Sequence, residues 1–235
     1  MNRGRLIPAS LLLLCLASFA TAQDERNAPA ETLHKTFQQA RESQSGPPAV
    51  FEFELSDFAY RVSVNGNGAR TREGKPTRGF NLRLEGGEEI LRVLFAEYDG
   101  DLLLICEFKP GKVNIGGAAI FRLLQPSMRA RWSQRIPSNG ISAHREGSSL
   151  FMAGIGFIAR LNLNSGQYDW QHANLVKREP GKFVYFGAFD EPEVSGGEIL
   201  FREERYNENL VRTYDPNIAK TIVADKKTGE IIRIQ

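Results

Sequence analysis

Cysteine is almost missing from this chain. Of 235 residues only Cys15 and Cys106 are cysteines, and Cys15 lies in a segment read below as a removable leader. A lone Cys106 cannot close an internal disulfide, so the fold must hold by its apolar core. Histidine is scarce as well. His34, His144 and His172 stand at no metal-ligand spacing to one another or to a cysteine. No serine sits in a nucleophile elbow. Gly116-Gly117 and Gly154-Ile155-Gly156 are not followed by the lysine and hydroxyl of a phosphate loop. A charge excess is missing too. The 30 basic and 28 acidic residues become 28 of each once Arg3 and Arg5 leave with the leader, which holds no acid. That excludes the basic stripe with which proteins neutralise nucleic-acid phosphates. Beyond one short segment there is no helical period.

What is present begins with targeting. Arg3 and Arg5 precede an apolar run from Leu6 to Phe19, and Ala20-Thr21-Ala22 offers small residues to a signal peptidase. Residues 1–22 are therefore expected to be a signal peptide, cleaved before Gln23. The run is too short to span about 30 Å of hydrocarbon comfortably, so no transmembrane segment is expected after cleavage. The large Leu12-Leu13-Leu14 before Cys15 argues against a lipid-modified cysteine. A periplasmic or secreted location follows as an expectation. Residues 23–48 read as a polar tether with a short N-terminal helix, because Leu33, Phe37 and Ala40 fall at spacings of four and three.

From Ala49 the period changes to two. Phe51, Phe53, Tyr60, Val62 and Val64 alternate with polar neighbours. Thr71 to Arg78 reads as an exposed loop, followed by a strand at Phe80, Leu82 and Leu84. Asp99-Gly100 joins two apolar runs as a hairpin. Three units of four short strands follow, over about 90–135, 140–172 and 183–234, the last carrying extra loop between Gly187 and Asn217. The units share a phrase. Leu161 and Trp170 are nine residues apart, as are Leu123 and Trp132, and Asp225 to Arg233 repeats the turn with Arg233 in place of the tryptophan. Such repeats stack, because one small sheet buries too little surface to be stable alone. Trp132 and Trp170 are expected to wedge neighbouring sheets together. The expected fold is all-β: stacked four-stranded antiparallel sheets forming a small or incomplete β-propeller over residues 49–235, with 49–87 as a further blade or a cap.

The phrase Asn162 to Trp170 resembles the repeat of quinoprotein-like (PQQ-repeat) β-propellers, whose blades end in Asp, two residues, Thr-Gly, three residues, then Trp. Asn162 stands at the Asp, Ser165 at the Thr, Gly166 at the Gly and Trp170 at the Trp. Asp225, Thr228 and Gly229 match in the last unit, where Arg233 departs; Trp132 and Ser127 match in the earlier one; Arg160 replaces a usual small alanine. The resemblance covers Ile90 to Gln235. Its best-known members are dehydrogenases that hold a quinone and calcium, often over adjacent cysteines. This chain lacks that cysteine pair, and at about 40–45 residues per blade it allows about four blades. No cofactor is carried over. Other members are non-catalytic periplasmic scaffolds, and the resemblance is closer to those.

Two arginines recur in register. Arg122 and Arg160 hold the same place in successive units, and such a pair can grip a carboxylate or an acidic strand of a partner. The plainer alternative is that each pairs with a local acid such as Asp169. The leading functional expectation is an exported, non-enzymatic binding or scaffold protein of the cell envelope with a protein partner. The alternative is a small secreted enzyme acting on glycans or peptides through acidic loop residues, with Asp99, Asp101, Asp190, Glu191 and Glu193 as the acids available.

Overall fold

A computed structural model describes residues 36–43, 49–109, 116–179, 182–206, 212–213 and 219–235. Residues 1–22, expected to be a signal peptide, lie outside the described residues, as do His34 and the start of the expected tether. Everything described is antiparallel β-structure or its connections. In chain order the strands are β1 (Gln38–Gln39), β2 (Arg41–Ser43), β3 (Val50–Leu55), β4 (Phe58–Ser63), β5 (Asn67–Arg72) and β6 (Lys75–Asn81). Next come β7 (Ile90–Tyr98), β8 (Asp101–Phe108), β9 (Gly117–Leu124), β10 (Arg129–Ile136), β11 (Ser142–Glu146), β12 (Ser149–Gly154), β13 (Phe157–Asn162) and β14 (Gln167–His172). The last are β15 (Val176–Glu179), β16 (Lys182–Tyr185), β17 (Glu193–Ser195), β18 (Glu198–Arg202), β19 (Arg205–Tyr206), β20 (Arg212–Thr213), β21 (Thr221–Asp225) and β22 (Ile231–Ile234). They build four main sheets: β2-β3-β4-β5-β6, β1-β7-β8-β9-β10, β11-β12-β13-β14 and β17-β18-β21-β22. Two small hairpins, β15-β16 and β19-β20, stand apart. Residues 49–87 thus supply four of the five strands of the first sheet, a further blade, and Arg41–Ser43 adds the fifth.

The sheets stack because their central strands are apolar on both faces. Every residue of β8 is buried. Its alternate side chains part company: Leu102, Leu104 and Cys106 join Phe53, Tyr60 and Val62 of the first sheet, while Leu103 and Ile105 join Leu150, Met152 and Leu161 of the third. β12 repeats the division. Leu150 and Met152 face the second sheet; Phe151 and Ala153 face Ile199, Phe201 and Ile222 of the fourth. Alternation within a strand is thereby converted into three successive interior layers. A strand buried on both faces reads in sequence as one continuous apolar run, as Leu102 to Cys106 does.

Burial also decides the state of Cys106. It is fully buried, and desolvation, aided by the charge of Glu107, pushes its thiol well above the ordinary cysteine range. A soluble disulfide reagent is expected to leave the native protein unlabelled and to titrate one thiol of the mature chain in denaturant. Stoichiometric labelling without denaturant contradicts this burial.

Four expectations are corrected. Phe37 and Ala40 do not lie on a helix. Gln38–Gln39 pairs with β7 and Arg41–Ser43 with β3, so this segment passes from the second sheet to the first. Phe37 and Ala40 are buried in different layers, and the open edges of β3 and β7 supply the backbone partners that a helix would otherwise have provided. Thr71 to Arg78 is the β5-β6 hairpin, turning at Glu73 and Gly74, both at positive φ. Its polarity misleads because β6 is a sheet edge wetted on both faces. Leu82 and Leu84 follow β6 as packed, non-strand residues. In the fourth sheet the first strand is Glu193–Ser195, part of the stretch read as loop, whereas Lys182–Tyr185 pairs with β15. Among the described residues no helix is long and apolar enough to cross a membrane.

Candidate binding site

Among the described residues one turn geometry occurs three times. Met128, Gly166 and Gly229 each donate a backbone N–H four residues back, to Leu124, Asn162 and Asp225 at 2.7, 2.8 and 2.9 Å. All three have positive φ: 56°, 73° and 77°. The hydroxyl before each (Ser127, Ser165, Thr228) accepts the N–H of the residue after it, at 3.4, 3.2 and 3.3 Å. Asn162 and Asp225 add side-chain acceptors for the turn amides. The turn is therefore determined by local chemistry, with glycine at its positive-φ position in the second and third cases and Met128 in the first.

Two of these turns are gripped by the preceding sheet. Trp132 of β10 lies on Gly166, where a Cβ would come within 2.5 Å of the indole; Trp170 of β14 lies on Gly229 at the same 2.5 Å. Only glycine satisfies both the positive φ and this approach. The Trp132 indole N–H donates to the Leu163 carbonyl at 3.1 Å, and Trp170 to that of Lys226 at 3.2 Å. The arginine paired across the ladder from each tryptophan donates to the same carbonyl: Arg122 to Leu163 at 3.0 Å and Arg160 to Lys226 at 3.3 Å. Each clasp is thus one indole on one glycine, with two donors on one carbonyl.

Arg122 and Arg160 therefore go to separate carbonyls, one junction apart. Arg122 is 1% exposed and ion-paired to Asp101 at 2.7 Å. Arg160 is partly exposed and paired to Asp169 at 3.0 Å, the local acid that the sequence put forward. The remaining candidates are dispersed. His144 meets Glu191 at 3.2 Å, and His172 meets the Gly229 carbonyl at 2.7 Å. Glu193 pairs with Arg202 at 2.8 Å, and Asp99 approaches Arg122 at 3.5 Å.

The junction of the first and second sheets is built differently. Arg70 takes the place of Arg122 and Arg160. It is buried, bonds the Gln125 side chain, and stacks its guanidinium 4.3 Å over the Phe58 ring. Gln125 is the turn position equivalent to Leu163 and Lys226, and its amide also bonds the Tyr60 hydroxyl at 2.6 Å. Arg78 pairs across the ladder from Arg70 and so occupies the tryptophan position. Its Nε donates to the Ser127 carbonyl at 3.3 Å, but it supplies no ring to fill the wedge.

What remains is an open groove of about 1110 Å³ between β6 and its continuation on one side and β10 on the other. Its walls are partly apolar, with Phe80, Leu82, Phe108, Phe121 and Met128 among them, and its rim carries Arg78, Arg83, Arg129 and Arg135. Arg135 is engaged by Glu88 at 2.6 Å and Glu85 at 3.3 Å. Among the described residues Arg78, Arg83 and Arg129 have no acidic partner. This groove is not among the sites expected from the sequence. The signal available was an arginine where the clasp has its tryptophan, hidden by a different turn spacing.

No family model matches the sequence, and no curated protein matches it. Among solved structures, the computationally designed Ika8 protein is similar with a TM-score of 0.43 and 13% identity, over 79% of this chain and 48% of that one. The chain thus spans about half the length of that design. The WD40 domain of Neurospora crassa Pan2 is similar with a TM-score of 0.39 and 14% identity, over 85% of this chain and 72% of its own. BamB from Moraxella catarrhalis is similar with a TM-score of 0.27 and 11% identity, over 78% and 74%.

Proposed function

We propose that this protein is an exported, non-enzymatic scaffold of the cell envelope, a short PQQ-repeat-like propeller that binds a protein partner. The observation that carries this reading is the unclasped junction. Two junctions are locked by Trp132 and Trp170, and the third is left open with an apolar wall and unpaired arginines. A gap of that size exposes apolar surface that a stable fold otherwise fills. Export rests on residues 1–22, and the PQQ-repeat kinship on Asn162 to Trp170 and Asp225 to Gly229.

The test is cross-linking in intact cells followed by purification from the envelope fraction. The mature chain is expected to begin at Gln23 and to recover one protein in stoichiometric amount. Recovery of the chain in the cytoplasm with its leader attached contradicts export. Turnover of a glycan or peptide panel that is lost in Glu193→Gln replaces the scaffold with the enzyme alternative.

A further inference from the structure

We propose that the groove between β6 and β10 holds an extended segment of the partner protein that carries both acidic and apolar side chains on the face it turns to the groove. This inference rests on the scaffold reading and names the chemistry of its partner.

Three features of the groove converge on that occupant. The first is the pair of sheet edges. β6 and β10 each end their sheet, so each has a row of backbone groups available to an added strand. The seven residues of β6 offer about 23 Å of edge at roughly 3.3 Å per residue. The second is the mixed chemistry of wall and rim. A strand laid along either edge sends alternate side chains to opposite sides. On β6, Arg78 and Phe80 are two residues apart and share a face, so the set turned toward the groove meets guanidiniums and aromatic rings together, with Arg83 and Arg129 beside Phe121 and Met128. The third is charge. The two groove acids, Glu85 and Glu88, are both spent on Arg135, leaving three exposed guanidiniums that match carboxylates. A basic segment meets like charge here, and a wholly apolar one leaves the arginines unused.

Fluorescence anisotropy on the mature full-length protein tests this. The probes are a labelled peptide of repeating Glu-Glu-Val-Val, which places both residue types on each face of a strand, and its counterpart of repeating Lys-Lys-Val-Val. The Glu peptide is expected to bind at least about tenfold more tightly than the Lys peptide, and to weaken when salt rises from about 0.05 to about 0.5 M, because exposed charges are screened over a few ångströms at the higher value. The double variant Arg83→Glu/Arg129→Glu changes two exposed side chains and is expected to lose at least about tenfold while keeping the wild-type unfolding temperature. Methylating alternate peptide nitrogens is expected to abolish binding by removing the edge hydrogen bonds. Arg78→Trp/Met128→Gly supplies both halves of the missing clasp, indole and glycine, and is expected to close the groove to the peptide.

Equal binding of the two peptides, or wild-type affinity in the double variant, overturns the inference. So does a dimer that dissociates in the double variant, because the groove is then a seam between two copies of this chain. If the double variant still recovers its envelope partner at full yield, the groove chemistry falls and the scaffold reading stands. If the Glu peptide binds as described but no stoichiometric partner exists, the scaffold reading falls alone. Should Arg78→Trp/Met128→Gly fail to fold, Arg83→Glu/Arg129→Glu and the methylated peptide decide the matter.

Discussion

Trp170→Ala is expected to cost about 3–5 kcal/mol of stability, the range for removing a large buried aromatic. Trp170 is 9% exposed. Its ring lies on Gly229 and 6.4 Å from the Phe201 ring in an edge-on arrangement, with Phe151 at 6.3 Å. Truncation opens a void that Gly229 has no side chain to fill, and it removes one of the two donors on the Lys226 carbonyl. For a chain of this size each kcal/mol shifts the midpoint by about 2–4 °C, so thermal unfolding followed by circular dichroism should fall by roughly 6–20 °C. Trp132→Ala is expected to cost less, because that indole is only partly buried. Equal and small losses for both would show that the interior layers alone, without the clasps, hold the sheets together.

The second large effect is at Asp101. Asp101→Ala is expected to destabilise by about 3–5 kcal/mol, the cost of stranding one member of a buried ion pair. Asp101 holds the Arg122 Nε at 2.7 Å through one oxygen and the Gln125 N–H at 3.2 Å through the other. With it gone, the guanidinium stays buried against the Leu163 carbonyl and the Tyr98 ring. Its remaining acid, Asp99, is exposed and 3.5 Å away. Asp169→Ala at the equivalent junction is expected to cost only about 0–1 kcal/mol, because both partners there are partly solvated. Urea unfolding of the two variants measures the difference. The double variant Asp101→Leu/Arg122→Met should recover much of the loss, since apolar replacement of a buried pair is often tolerated. Similar losses at the two sites would mean that burial of Arg122 does not matter.

Legibility from sequence followed the locality of the physics. Asn162, Ser165, Gly166 and Trp170 lie within one hairpin, so their turn and its strands could be read directly. The two apolar runs joined by Asp99-Gly100 could be read as a hairpin in the same way. The wedging of sheets by Trp132 and Trp170 also holds, since each reaches the turn of the following sheet. The equivalence of Arg122 and Arg160 was visible as a period, but the carbonyl each one serves belongs to the next unit, which spacing does not display. Arg70 and Arg78 were hidden because their hairpin turns on two residues where the other sheets use a longer loop. β1 and β2 are too short to carry a period, and their pairing is set by edges distant in sequence. The groove was the least legible feature, since it arises from a side chain that is not a tryptophan.

The clasps run in one direction, and that has a cost during synthesis. Trp132 waits for a carbonyl 31 residues downstream and Trp170 for one 56 residues downstream. At about 5–20 residues per second on the ribosome, Trp170 stays bare for roughly 3–11 s after it is made. A growing chain therefore trails an unclaimed indole from its newest finished module until the following hairpin arrives. Holding factors that recognise exposed aromatics have their longest opportunity between Trp170 and Lys226, and a stalled or clipped product ending in that interval would be the sticky one.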